Sequence, residues 1–424
     1  MKTKIFISLF GALCFGFFSC GGGEDPPSAI TPKAIIKANH DTKVWAHFML
    51  WYETPESINE WGQHWSKGEP RPVEENGAWK NLYTRYAPIT GPYFSRDRGI
   101  LEYQLLLMKY SGIDGVIANW YGVDDRNSTE DKTRALEALF AICKETGIEL
   151  AVCYEDRFKR QATNEERIAS IKTDMDYLQK NFFTQSIYSK IDEQPLLLIF
   201  GPQVEGLATQ GLAPTAANWN QCFANLNPKP AFYPLQGKSG SLGGSVGVAK
   251  SVFRWSNNSD ASGSDNVYLT QQFNVNTATS LNIFVAMPGF NDCYNGVAGV
   301  PRYRVTNHNG GAFFKQQLDL AAQYKPKHLQ LCTWNDYGEG TIIEPTVPDA
   351  AHNNNNSYIY LEQLHEFTGV TTIDKSVLPQ IKRFYDLRIA NRNNSEANKK
   401  LKEIYSYFCT AQPAKAIEGL NKMP

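Results

Sequence analysis

A (β/α)8 TIM barrel with a C-terminal helical extension is the α/β fold that the sequence predicts, and three observations predict it. Eight short apolar runs rich in β-forming residues recur between residues 44 and 334. Most are followed by a polar loop and then a helix-like stretch, the alternation that builds a parallel sheet. No G-x-G-x-x-G or Walker sequence follows the first run, whereas an open doubly wound sheet of this size would more often show one, with fewer strands.

The elements read in order as follows. Residues 1–19 open with Lys2 and Lys4 and continue in an apolar run, Ile5 to Phe18, that is too short to span a bilayer. The run stops at Ser19-Cys20, and a cysteine directly after a small residue at such a point is similar to the lipobox of bacterial lipoproteins. A signal peptide over 1–19 and a lipid anchor on Cys20 are therefore expected, with an ordinary residue beside a conventional cleavage site as the alternative for Cys20. Residues 20–38 begin Cys-Gly-Gly-Gly-Glu-Asp-Pro-Pro and read as a flexible tether. That puts the protein in the cell envelope, touching a membrane only through its lipid.

The barrel is expected over 39–372. Its strand runs are Val44–Leu50, Gly115–Trp120, Ile148–Tyr154, Pro195–Phe200, Ala231–Leu235, Ser251–Trp255, Asn282–Met287 and His328–Trp334. Helical patterns lie between them at Arg98–Ser111, Lys132–Thr146, Glu165–Lys180, Thr215–Leu226 and Gly311–Tyr324, with Gly112 and Gly147 as the clearest stops. The fifth and sixth repeats are weakest, because Gly237–Val248 is rich in glycine and serine and reads as a loop. Over 373–424 the pattern turns amphipathic, from Pro379 through Tyr407 and again over Ala414–Leu420, and predicts helices packed on the barrel.

Composition narrows the function. Net charge is −1 with no block of like charge, so the basic footprint of a nucleic-acid protein is missing. Cys143, Cys153, Cys222, Cys293, Cys332 and Cys409 are scattered through apolar segments, with no C-x-x-C or Cys/His spacing, so neither a metal nor any other cofactor is expected. Aromatic residues make up 12% of the chain, and several close apolar runs, where they would face a cleft on which sugar rings stack.

In a barrel the working residues come from the carboxyl ends of the strands. Those ends supply Trp51-Tyr52-Glu53, Trp120-Tyr121, Tyr154-Glu155-Asp156-Arg157, Arg254-Trp255, and Asp292 with Tyr294. The last is densest, Thr333-Trp334-Asn335-Asp336-Tyr337-Gly338-Glu339-Gly340-Thr341-Ile342-Ile343-Glu344-Pro345. Aromatics interleaved with carboxylates, without a Ser/His/Asp nucleophile signal, fit the two-carboxylate chemistry of glycoside hydrolysis. Asp336 and Glu339 are its candidate catalytic pair, with Gly338 and Gly340 leaving the backbone free to aim both side chains into one cleft. Spacing alone fits equally a helix cap at Asp336 with Glu339 in solvent. For Trp51, Trp120 and Trp255 the competing reading is core packing at the rim, for Glu155 an ion pair with Arg157 or Arg160, and for His47 a satisfied polar core residue.

The motif Trp334-Asn335-Asp336-Tyr337-Gly338-Glu339 resembles the acid-bearing segment of glycoside hydrolase family 71, the fungal α-1,3-glucanases. Glu339-Gly340-Thr341 with Ile343-Glu344-Pro345 is similar to the corresponding segment of family 99, the endo-α-mannosidases and endo-α-mannanases. Weaker resemblances to family 99 follow in order at Phe48-Met49-Leu50-Trp51-Tyr52, Gly112-Ile113-Asp114-Gly115, Asn119-Trp120-Tyr121-Gly122, Arg254-Trp255 and Pro288-Gly289-Phe290-Asn291-Asp292. The resemblance implies that Glu339 is the general acid/base and that Asp336 activates the nucleophile. It further implies that Trp51, Tyr52, Trp120, Glu155, Arg254, Trp255, Tyr294, Arg302, Asn335 and Tyr337 shape the sugar subsites.

Family 99 carries glutamate where this chain has Asp336 and acts there on the substrate's own 2-hydroxyl with retention. Aspartate withdraws by roughly 1–1.5 Å, about one methylene, which makes room for a water as in inverting enzymes. Family 71 also has aspartate here and inverts, so inversion is expected. The implied substrate is an α-linked polysaccharide or glycan and the implied state a monomer. A non-catalytic surface glycan-binding lipoprotein is the alternative.

Overall fold

The computed structural model describes residues 30–39, 41–124, 131–156, 163–200, 215–235, 247–255, 283–348 and 356–424. Residues 1–29 with Cys20, Arg157, Arg160, most of Gly237–Val248 and Asn282 lie outside the described residues.

Seven parallel strands form one curled sheet: β1 Lys43–Phe48, β2 Gly115–Trp120, β3 Glu149–Tyr154, β4 Gln194–Ile199, β5 Ala231–Pro234, β6 Ile283–Ala286 and β7 His328–Leu331. Their order around the sheet is β5-β4-β3-β2-β1-β7-β6, every pairing among these seven parallel, and a two-residue strand, Lys190–Ile191, adds antiparallel to the start of β4. Each begins and ends within three residues of its expected run. The sixth run is the exception, and Ser251–Trp255 is not a strand. Val252 and Phe253 sit between Ser251 and Arg254, and only Phe253 pairs, by single parallel bridges to Leu235 and Ile283. Amide bonds from Phe253 to the Pro234 carbonyl and from Arg254 to the Ile283 carbonyl, both 3.2 Å, tie those bridges on either side. The result is a TIM-barrel-like curled sheet wrapped in helices.

Side-chain alternation divides the sheet into two faces. Trp45, Ile117, Ala151, Cys153, Leu196, Leu198, Tyr233, Phe253 and Ile283 fill the inside as one buried cluster. The residues between them, such as Val44, Ala46, Val116, Ala118 and Val152, belong to a second cluster shared with the surrounding helices. Strands apolar on both faces are what a helix-covered parallel sheet requires.

The α-helices of seven residues or more among the described residues are α1 Arg98–Tyr110, α2 Lys132–Thr146, α3 Asn164–Leu178, α4 Ala216–Cys222, α5 Ala312–Tyr324, α6 Ile359–Thr368, α7 Val377–Ala390, α8 Ser395–Cys409 and α9 Pro413–Asn421. Side-chain caps start several of them: Asp97 accepts from the Ile100 amide, Asp131 from Arg134 and Thr163 from Glu166. The expected Pro379–Tyr407 stretch is two helices, because Asn391–Asn394 breaks it and Asn394 caps the second.

Helix α1 is buried along nearly its whole length, between the sheet and α7. The clasp is Glu102, fully buried, whose carboxylate takes two bonds from Arg388 (2.8 and 3.0 Å) and one from Arg98 (2.7 Å). Residues 33–38, expected to be tether, are instead docked. Lys33 donates its amide to the Cys409 carbonyl, Ala38 to Gly369, and Lys37 Nζ reaches Asp114 at 2.6 Å. All six described cysteines are buried free thiols. No helix among the described residues is long and apolar enough to cross a membrane.

Candidate active site

Strand β7 delivers the chain into a tight loop, and that loop carries the two candidate acids. Thr333 anchors it: its amide and hydroxyl meet the Thr341 carbonyl, and its hydroxyl accepts from the Asp336 amide at 2.7 Å. The Gly340 amide closes on the Asp336 carbonyl. Gly340 has φ +68°, and a Cβ there would stand 2.8 Å from the Asn291 carbonyl oxygen, so only glycine fits.

Three residues of the motif, Asn335, Tyr337 and Glu344, bind the loop to the body. Asn335 Oδ1 accepts from the Met49 amide (2.8 Å) and its Nδ2 donates to the Met49 carbonyl and the Tyr93 hydroxyl. The Tyr52 hydroxyl donates to the Asn335 carbonyl (2.6 Å) and accepts from the Tyr337 amide. Tyr337 and Tyr93 both donate to Glu344 Oε2 at 2.8 Å, and Gln104 donates to Oε1 at 2.8 Å. Glu344 is thus a fully buried carboxyl held by three neutral donors, and burial pushes it up to about 7.

Asp336 and Glu339 lie on the other side of this framework. Asp336 is 7% exposed, and its Oδ1 accepts from the Glu339 amide at 3.0 Å, so it caps the turn over 337–340 rather than a helix. Glu339 is half-buried, with Oε1 accepting from the Tyr294 hydroxyl at 2.7 Å. Glu155, at the end of β3, is 3% exposed and accepts from Asn119 Nδ2 at 2.6 Å. Burial first, then the charge of Glu339 and, more weakly, that of Glu155, hold the Asp336 carboxyl well above the usual carboxylate range. The three carboxyl groups therefore share one electrostatic site at the carboxyl ends of the strands.

The walls differ from the expected set. Tyr52, Trp120, Asn335 and Tyr337 are fully buried and cannot contact a sugar directly. Trp120 lies on the outer face, its indole donating to Thr133 and its ring stacked on Tyr177. Tyr52, Asn335 and Tyr337 are spent on the internal bonds just described, so they support the loop. Trp51 is nearly buried and stacks on His64 at 4.3 Å. Trp255 stays half-buried, edge-on to His47 at 4.7 Å, while Arg254 is 5% exposed and its carbonyl accepts from Gln330. His47 points inward, and burial lowers it to about 4. Arg302 is exposed, its guanidinium over the Tyr303 ring.

Two contributors escaped the sequence reading. Tyr83 is pushed up to about 12 by burial and by the neighbouring charges of Cys293, Asp292 and Asp336. His64, half-buried and stacked on Trp51, is held below its ordinary value by desolvation first and then by the charges of Lys67 and Lys132. Both belong to the long excursion between β1 and α1, where Trp61, Trp65, Trp79, Tyr83, Tyr86 and Tyr93 were the available signal. Among the described residues no group of three or more His, Cys, Asp or Glu could hold a metal ion.

Solved structures share this architecture. The structure of the family 99 endo-α-mannosidase from Bacteroides thetaiotaomicron matches with a TM-score of 0.59 at 13% identity, over 81% of this chain and 98% of that one. A second structure of the family 99 endo-α-mannosidase from that organism, in complex with bis-tris-propane, matches with a TM-score of 0.58 at 15% identity, over 77% and 96%. A glycoside hydrolase-like protein matches with 0.54 at 12% identity, over 80% and 97%. This chain has the fold of glycoside hydrolases. No protein-family model matches the sequence, and no curated protein matches it by sequence.

Proposed function

We propose that the protein is a monomeric, lipid-anchored glycoside hydrolase of the cell envelope. On a closed (β/α)8 barrel it cleaves α-mannosidic or α-glucosidic bonds of a polysaccharide or glycan, with Asp336 and Glu339 as the working pair. The observation that carries this reading is the convergence of Asp336, Glu339 and Glu155 at the strand ends, where burial raises the proton affinity of Asp336 beside a Glu339 that accepts a phenol hydrogen bond. Acetal hydrolysis needs such a pair. The acid gives its proton to the glycosidic oxygen as the C–O bond breaks, and the base takes a proton from the water or sugar hydroxyl that attacks the anomeric carbon.

The resemblance makes Glu339 the acid and Asp336 the base. The reverse assignment is favoured by the raised proton affinity of Asp336 and by the Tyr294 hydroxyl donating to Glu339. An aryl glycoside with a 2,4-dinitrophenyl leaving group separates the two, because it needs no proton. The variant at the acid position keeps its rate on that substrate and the variant at the base position does not.

The test of the function is release of reducing ends from yeast α-mannan and α-1,3-glucan. Asp336→Asn and Glu339→Gln should each lower it by about 10³-fold with the melting temperature nearly unchanged. Full activity in both variants would remove the site assignment. The envelope location is inferred from Lys2, Lys4, the apolar run and Cys20. Incorporation of labelled palmitate, lost in Cys20→Ala, tests it.

A further inference from the structure

The loop between Phe290 and Thr306 is stiff and yet presents apolar side chains to solvent. Its base is closed by two backbone bonds between Phe290 and Thr306, 2.8 and 2.9 Å. The Asp292 carboxylate, fully buried, accepts from the amides of Tyr294, Arg302 and Tyr303 at 2.9–3.0 Å. From the other side the Arg85 guanidinium donates to the carbonyls of Asp292, Val297 and Gly299. Gly299 lies against Asn295, where an added Cβ would stand 2.3 Å from the carbonyl oxygen.

On this frame Tyr294, Val297, Val300, Tyr303 and Val305 are exposed, Val300 by 81%. They are five of the nine large apolar side chains exposed among the described residues, gathered in twelve positions. Such a patch, ordered in advance by buried polar bonds, marks a binding surface. Its place identifies the occupant. Tyr294 joins the patch to the catalytic loop through its bond to Glu339, and Tyr303 stands edge-on to Tyr294 at 5.9 Å with the Arg302 guanidinium over its ring. An aromatic face beside a planar donor suits the apolar face and the hydroxyls of a sugar ring, and continuity with the acids suits a chain that extends from the cleaved bond.

We propose that residues 292–305 form a platform for the sugar units beyond the scissile linkage, so that the protein acts on extended α-linked chains in preference to short ones. The proposal rests on the hydrolase reading above. The probes are fluorescently labelled oligosaccharides of two, four and eight residues from yeast α-mannan and from α-1,3-glucan. In the Tyr303→Ala/Val300→Ser double variant, kcat/KM should fall about tenfold on eight-residue chains and less than about twofold on disaccharides, through KM and not kcat. Loss independent of length, or no loss, overturns the platform.

Fluorescence anisotropy on Glu339→Gln, with and without Tyr303→Ala, reads the same contact without turnover. If the parent cleaves neither series but binds eight-residue chains in a Tyr303-dependent manner, the platform stands and the hydrolase reading falls. If neither series binds, both fall, whereas a protein partner on the patch overturns the platform alone.

Discussion

Replacing Glu344 by glutamine should remove a specific pH dependence from the stability of the fold. The carboxyl is fully buried, none of the ion pairs among the described residues involves it, and its three donors are neutral. Desolvation outweighs those bonds and raises it from 4.5 to about 7. A raised carboxyl favours the protonated form in the folded state, so its stabilisation is complete below pH 4.5 and is lost as pH rises through about 7. At about 1.4 kcal/mol per pH unit the loss is about 3 kcal/mol. Glutamine keeps the shape, and the Gln104 amide, whose Oε1 has no hydrogen-bond partner among the described residues, can turn to accept from the new NH2. Urea unfolding of both proteins from pH 4 to 8 isolates the effect, because other titrating groups cancel in the difference. The variant should gain about 3 kcal/mol relative to the parent across that range. A flat difference would refute the reasoning. A difference of opposite sign would mean that the three donors hold the charged form after all.

Other consequences follow from the same framework. Asn335→Ala removes three bonds to buried partners and should destabilise by about 2–4 kcal/mol, with kcat falling because the loop bearing the acids loses its tie to Met49; unfolding and kinetics on one preparation check both. Glu102→Gln weakens three charge-assisted bonds inside the α1–α7 contact while Arg98 keeps Glu145 and should cost about 1–3 kcal/mol, read as early proteolysis of the C-terminal helices. Gly340→Ala forces a side chain onto the Asn291 backbone and should cut activity sharply while far-ultraviolet circular dichroism is unchanged.

Seven strands were legible in the sequence because each is a short apolar run closed by polar residues, and the outer and inner faces are both apolar. The sixth position was not, since pairing there depends on one residue, Phe253, bridged by neighbours distant in sequence. Strand-end aromatics were misjudged by parity. Trp120 continues the outward set of Val116 and Ala118, and Tyr52 that of Phe48 and Leu50, so both pack outside the barrel interior. In the last motif Asp336 and Glu339 share one turn, joined by the Glu339 amide to Asp336 Oδ1, but the residues interleaved with them, Asn335 and Tyr337, are anchors to Met49 and Glu344, and nothing in residue type separates an anchor from a sugar contact. His64 and Tyr83 reach the site through a fold of the 53–97 excursion that tertiary contacts alone determine.

The most direct test is a crystal structure of Glu339→Gln with a bound α-linked mannooligosaccharide or α-1,3-glucooligosaccharide. The side chains of Asp336 and residue 339 should both lie within hydrogen-bond reach, about 2.6–3.2 Å directly or through one water, of the glycosidic oxygen or the attacking oxygen at a single sugar. A sugar bound away from the β7 loop, or an Asp336 carboxyl that stays sealed from it, would contradict the account.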